Sequence, residues 1–435
     1  MKKTIYTLLA LFLAQQTWAQ DIDKIITKPY VDRLIKTLSS DEMQGRATFS
    51  PGIDKAASFI EAEFKSIGLK PLEGKTFRQS FFQQKLKPIS TKVTIDGKEI
   101  AASNVLVYGN TVESLVFDKA SSAEWAKLDP EKPFMGQIRT LSKENKNQLV
   151  LVDPKFAEAF KRVRDYLAGG TDLDEKKINE PSAALVLVLG EATVANDFKV
   201  EVKSKLEKLS LFNVAGVIPG KSKAKELVVF SGHYDHLGII KGDGQDSIAN
   251  GADDDASGTT AMIALAKYYK KLNNNERTLI FVAFTAEEIG GFGAKHFSQK
   301  LNPDEVVAMF NIEMIGKDSK FGKNTAFITG FDKSDFGKIL QKNLEGTEFT
   351  FHPDPYPQQN LFYRSDNATL AALGVPAHTI STDQIDSDKF YHTVKDEYET
   401  LDSDNILSTI KGIAKSAISI IKGIDTPTRI PKLSN

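Results

Sequence analysis

The chain has 435 residues, 41% hydrophobic and 26% charged, with a formal net charge of −1 and no cysteine. This is the composition of a globular protein with one large domain plus an insertion, or two domains, and it argues against long disorder. It offers no electrostatic case for nucleic acid or an anionic membrane as partner, and it excludes disulfides, thiolate metal ligands and lipid attachment through an N-terminal cysteine.

Lys2-Lys3, an apolar run at 5–14 and Thr17-Trp18-Ala19 follow the order of a secretory signal: basic start, short apolar stretch, small-residue cleavage site. The run is too short to span a bilayer, and no later stretch is apolar enough to do so. Residues 1–19 are therefore expected to be removed. The mature protein would carry no membrane anchor and be exported, to a periplasm or the medium.

Apolar spacing predicts helices over 31–38 and 56–67, the second closed by Gly68 with Pro71 beyond. Residues 86–204 differ in character. They hold short strands at 92–95, 105–108, 149–152 and 183–189 and two charged helical stretches, and they read as an inserted smaller α+β domain. Residues 20–85 and 205–435 would then form the main domain. There, apolar runs at 213–218, 226–231, 278–285 and 306–312 enclose a helix over 257–272, and a last helix spans 405–420. Strands apolar on both faces, alternating with helices, predict an α/β fold. Its mostly parallel, mixed central sheet would be flanked by helices on both faces.

In such sheets functional groups gather where strands end. His233 follows the second run, and Asp235 is placed to orient its imidazole. Ser231 stands where a His-x-His-x-Asp-His signature needs its first His, which rules out that class of metallohydrolase, and His236 reads as a loop residue. Asp253-Asp254-Asp255 are more acids than a helix cap requires, and a carboxylate bridging two metals would relieve their repulsion. Spacing does not say which of the three bridges. Glu287 and Glu288 end the third run before a glycine-rich turn, so one could bind metal while its neighbour handles a proton. Glu313 is a further strand-end acid, and Tyr391-His392 supplies a late imidazole beside a phenol. His296, His352 and His378 lack such company and read as structural.

In this order the motifs His233-x-Asp235, Gly251-Ala252-Asp253-Asp254, Glu287-Glu288, Asn311-Ile312-Glu313-Met314 and Tyr391-His392 resemble the co-catalytic di-zinc aminopeptidases, metallopeptidase family twenty-eight. That family also includes glutamate carboxypeptidases and the catalytically dead transferrin receptors. The resemblance covers 28–84 and 205–425, including Leu38-x-Ser40-Asp41-Glu42-x-x-Gly45-Arg46 and Gly68-Leu69-Lys70-Pro71.

The resemblance implies a zinc-peptidase-like fold with two Zn2+ ions, one held by His233, Asp254 and Glu313, the other by Asp254, Glu288 and His392. It also implies Glu287 as general base, Asp235 as the partner of His233, Tyr391 as oxyanion donor, and Ser365-Asp366 as a substrate-side loop. Many relatives have Asp where this chain has Glu313, one methylene longer. The inserted segment takes the place of a protease-associated domain in many relatives. The expected activity is removal of N-terminal residues from peptide substrates. A carboxypeptidase or dipeptidase of the same fold is the alternative. Retention of every acidic and His position disfavours a non-catalytic binding module, and the full ligand set disfavours a glutaminyl cyclase.

Overall fold

The computed structural model describes residues 22–109, 114–121, 123–173, 183–191, 195–241, 244 and 246–433. The expected signal at 1–19 lies outside them. Contacts divide the chain into two compact units, one made of residues up to Phe81 and from Leu211 onward, the other of Phe82–Ser210.

The first unit opens with helices α1 (Lys28–Leu38) and α2 (Pro51–Ile67). In α1, Val31, Leu34, Ile35 and Leu38 are buried, the i, i+3, i+4, i+7 stripe of a helix lying on a core. The Ser50 side chain accepts from the Gly52 N–H at the start of α2, and Gly68 closes the helix at φ +83°. Glycine adopts that conformation without the steric cost other residues bear.

Strand β1 (Phe198–Ile218) carries the chain back into this unit. It is followed by β2 (Lys223–His233), α3 (Gly258–Leu272), β3 (Arg277–Phe284), α4 (Phe292–Lys300) and β4 (Val306–Ile312). Then come β5 (Thr325–Ile328), α5 (Phe336–Asn343), β6 (Thr350–Pro353), α6 (Asn367–Ala372), β7 (Ala377–Ser381) and α7 (Ser403–Ser416). The strands of this unit lie in the order β6-β5-β7-β4-β2-β3-β1. The centre, β3-β2-β4-β7, is parallel, whereas β1 runs antiparallel to β3 and β5 antiparallel to β7. The sheet is mixed, and its parallel middle directs the C-terminal ends of four strands to one edge.

Side-chain alternation along these strands builds two cores. Val228, Phe230, Leu279, Phe281, Ala308 and Phe310 pack under α1, α2, α3 and α7. Val229, Ile280, Val282, Phe284, Val306 and Met309 meet α4 and α6 on the opposite face. Both faces are covered, which is why β3 reads as an unbroken apolar run: all eight of its residues are buried.

The second unit has its own four-stranded sheet, in the order Val105–Tyr108, Leu185–Leu189, Gln148–Val152, Glu124–Lys127, with helices Phe134–Lys143 and Ala157–Ala168. Val105–Tyr108 is its antiparallel member.

Among the described residues no helix is long and apolar enough to cross a membrane.

Phe230 stacks on Phe281 and Phe310, with ring centroids 5.4 and 4.7 Å apart, and abuts Tyr269 at 5.4 Å. Phe230→Ala is expected to lower stability by about 3–5 kcal/mol, read from urea unfolding. A loss below about 1 kcal/mol would show that this stack does not anchor the sheet.

Candidate metal centre

His233 is the last residue of β2, and hydrogen bonds on three sides fix it. Its N–H donates to Asp255 Oδ2 at 3.0 Å, its carbonyl accepts from Thr259 Oγ1 at 2.7 Å, and its Nδ1 lies 3.1 Å from the Asp235 carbonyl oxygen. Pairing Nδ1 with a carbonyl makes it the protonated nitrogen and leaves Nε2 as the donor atom. That atom lies 3.1 Å from Asp254 Oδ1.

The orienting role expected of Asp235 thus belongs to its backbone; its carboxylate is 3.8 Å from His233 Nδ1. The carboxylate instead accepts the N–H groups of Glu287 and Glu288, at 3.1 and 3.3 Å, and the Thr48 hydroxyl at 3.2 Å. It fixes the backbone of the acidic pair rather than the imidazole.

The three consecutive aspartates divide the work. Asp255 Oδ1 accepts from the N–H groups of Gly258 and Met314, so one carboxylate joins β2, the start of α3 and the turn after Glu313. Asp253 Oδ1 accepts from Gly316 N–H at 2.7 Å. Only Asp254 turns both oxygens toward imidazoles, Oδ1 to His233 and Oδ2 to His392 Nε2 at 3.2 Å. Burial alone would raise its pKa, but these imidazoles hold it well below the usual carboxylate range.

Glu288 completes the second half, with Oε2 3.1 Å from His392 Nε2. Its Oε1 lies 2.8 Å from His236 Nδ1. This corrects the reading of His236 as a loop residue without a part in the site: it is 2% exposed and stands beside Glu288 and Asp254. Two three-residue groups can hold a metal ion here, His233-Asp254-Glu313 and His236-Asp254-Glu288, and Asp254 belongs to both. His392 faces the second group.

Glu287 has no hydrogen-bonded side-chain partner among the described residues. Burial, with Glu313, Asp366 and Glu288 close by, pushes its pKa well above the usual carboxylate range despite the opposing pull of His233. It lines a cleft together with Asp254, Glu313, Arg364, Ser365 and Tyr391. The Tyr391 ring stacks on His392 at 3.9 Å between centroids. Burial and the surrounding carboxylates raise the phenol above its usual range, so its O–H stays a donor. Ser365 accepts from Asn311 Nδ2 at 2.7 Å, while Asp366 is buried behind it.

Three further residues bear on the shape of the site. Arg46 is fully buried and donates to the carbonyls of Leu38, Tyr234, Asn250 and Gly251 at 2.5–2.9 Å. Asp396 accepts from the N–H groups of Asp253 and Asp254 at 3.0–3.1 Å. Gly251 (φ +56°) lies against His236: an added Cβ would come within 2.5 Å of its ring.

The donors fit a pair of zinc ions. Imidazole nitrogens mixed with carboxylates and no thiolate is a common zinc set in hydrolytic sites. Among the described residues His236 Nε2 is buried without a hydrogen-bond partner, His233 Nε2 has the Asp254 carboxylate beside it, and four acids crowd together with no Lys or Arg ion pair. Divalent cations would relieve both conditions.

Residues 213–417 match the model of Peptidase family M28. This part of the chain belongs to that family. Similar proteins include aminopeptidase YwaD of Bacillus subtilis, 22% identical over 279 residues, which are 60% of this chain and 56% of that protein. Leucine aminopeptidase 1 of Paracoccidioides brasiliensis (strain Pb03) is 24% identical over 58% of this chain and 67% of its own length. The chain therefore spans little more than half to two thirds of these relatives. Among solved structures, an aminopeptidase from Aneurinibacillus sp. strain AM-1 matches with a TM-score of 0.53 and 19% identity, over 95% of this chain and 97% of that one. The zinc aminopeptidase BSAP from Bacillus subtilis matches at 0.53 and 16%, over 92% and 97%. The fold is that of the M28 peptidases.

His233, Asp235, Glu287, Glu288 and Glu313 lie at or just beyond the ends of β2, β3 and β4, whereas Asp254 lies in the turn that opens α3. If His236 holds Glu288 in place, His236→Ala should weaken the second metal position about 10–100-fold. Zinc stoichiometry under graded chelation should then fall in two steps. A curve matching that of the unaltered protein would remove His236 from the centre.

Proposed function

We propose that this chain is an exported zinc aminopeptidase of the M28 family that hydrolyses N-terminal residues from peptides. The observation that carries the reading is the pair of ligand groups sharing Asp254, with the unpaired carboxylate of Glu287 beside them in the same cleft. His233, Asp254 and Glu313 would hold one zinc, and Asp254, Glu288 and His392 the other, with His236 supporting Glu288. When bound, the zinc pair supplies Lewis acidity for the attacking water and the scissile carbonyl.

The chain's own residues do the rest. Glu287 takes the proton from water and delivers it to the leaving amine. The Tyr391 hydroxyl donates to the oxyanion that develops on the carbonyl. Asp235 keeps Glu287 in reach by holding its N–H. The aminopeptidase names of the similar proteins support an N-terminal cut over a C-terminal one. The pattern at 1–19 supports export.

Glu287→Gln should lower kcat at least about 10²–10⁴-fold while two zinc ions per chain remain; near-normal turnover would overturn the base assignment. Dialysis against a strong zinc chelator should abolish hydrolysis of amino-acid p-nitroanilides, and added zinc should restore it. Cleavage of N-blocked peptides in preference to free ones would instead favour the carboxypeptidase alternative.

A further inference from the structure

Beside the cleft, to whose lining Asp383 contributes, a second acidic cluster joins the 253 loop to the segment following β7. We propose that Asp253, Asp383 and Asp388 hold a calcium ion at a site separate from the zinc ligands. Their carboxylate oxygens lie within 4.8 Å of one another. Asp253 and Asp383 are buried, 0% and 3% exposed, and Asp388, a partly exposed residue, keeps a side chain that is 3% exposed.

Their partners do not balance their charge. Asp253 Oδ1 accepts from Gly316 N–H and Asp388 Oδ1 from Phe390 N–H. The ammonium of Lys317 lies 3.3 Å from Asp253 Oδ2 and 2.5 Å from Asp388 Oδ2. Among the described residues neither buried oxygen of Asp383 meets a hydrogen-bond donor, and the Asp388 carboxylate lies against it. One ammonium thus serves three buried carboxylates, and an acid so placed is costly unless a further cation meets it. Lys317 is 20% exposed, so its head group can swing toward water on its long stem and make room.

The donor set selects the ion. Oxygen alone, without imidazole or thiolate, suits a hard cation and not zinc. Carboxylates from three separated loop positions suit the variable geometry of calcium better than the strict octahedron of magnesium. The consequence is mechanical. Asp253 precedes Asp254, and Asp388 precedes Tyr391-His392 by three residues. A calcium ion here would fasten the loop bearing the late imidazole to the loop bearing the shared carboxylate.

The test uses zinc-loaded protein dialysed exhaustively against calcium-free buffer, its zinc content verified, and titrated with calcium alone, read by equilibrium dialysis and by the thermal midpoint. The expected result is one calcium per chain, with a dissociation constant at or below about 1 mM, the range of extracellular calcium modules, and a higher midpoint. Asp383→Asn and Asp388→Asn should each weaken binding at least about tenfold with zinc content unchanged; magnesium at equal concentration should shift the midpoint less. Absence of bound calcium up to about 10 mM, tenfold beyond the weakest such modules, would mean that Lys317 and a shared proton neutralise the cluster, and would overturn the proposal. So would wild-type affinity in either variant. Should one variant fail to fold, the unaltered protein and the other variant still decide. None of these readings depends on peptidase activity.

Discussion

Buried negative charge is the constraint on which the catalytic unit turns. Asp235, Asp253, Asp254, Asp255, Glu288, Glu313 and Asp396 meet within a few loops at one edge of the sheet. An unpaired buried carboxylate is among the most expensive groups a protein can hold. The compensation comes mainly from backbone N–H groups. Asp235 takes two, Asp255 takes three and Asp396 takes those of Asp253 and Asp254. Arg46 adds a buried guanidinium to neighbouring carbonyls, and its positive charge lies close to Asp254, Asp396 and Asp235. These acids therefore do two different jobs. Oxygens bonded to the backbone shape the loops, and those left facing imidazoles, or Lys317 in the case of Asp253 Oδ2, remain free to meet cations.

This division explains a geometry that would otherwise be improbable. Ala286, Met314 and His392 all adopt left-handed backbone conformations, at φ +58°, +52° and +58°, although none is glycine. Each such residue costs of order 1 kcal/mol. Each sits beside or within the candidate ligand set: before Glu287, after Glu313, and at the late imidazole itself. The Asp235 carboxylate grips the N–H of Glu287 and that of Asp255 grips the N–H of Met314. The strained turns are thus held by the buried acids, and they turn the chain sharply enough for Glu287 and Glu313 to face the same cleft.

The parallel core was readable because β2, β3 and β4 are buried on both faces and so leave unbroken apolar runs, and the acids stand out where those runs stop. Other features left weaker traces. β5 and β6 are four residues each, and Pro353 closes β6 at the sheet's edge, so neither run is long enough to show a period. The predicted helix over 405–420 breaks at Ala417 between Ser403–Ser416 and Ile418–Ile421, a change that apolar spacing does not register. His236 was misread because its approach to Glu288 depends on a contact with Gly251, fifteen positions away in sequence. Asp396 had no signal at all, since its partners are backbone groups more than a hundred residues upstream.

The same logic bears on the longer arm of Glu313. An extra methylene could spoil a site in which the carboxylate is free to choose among rotamers. Here it is not free. Met314 N–H is held by Asp255, Glu313 N–H donates to the Ile380 carbonyl at 3.1 Å, and Asn311 Nδ2 lies 3.4 Å from Glu313 Oε2. The backbone on both sides and one carboxylate oxygen are restrained before any cation arrives. The longer side chain therefore reaches the same group as His233 and Asp254 with little added conformational freedom to lose. The turn beneath Glu313, more than the length of the acid, sets where its charge falls.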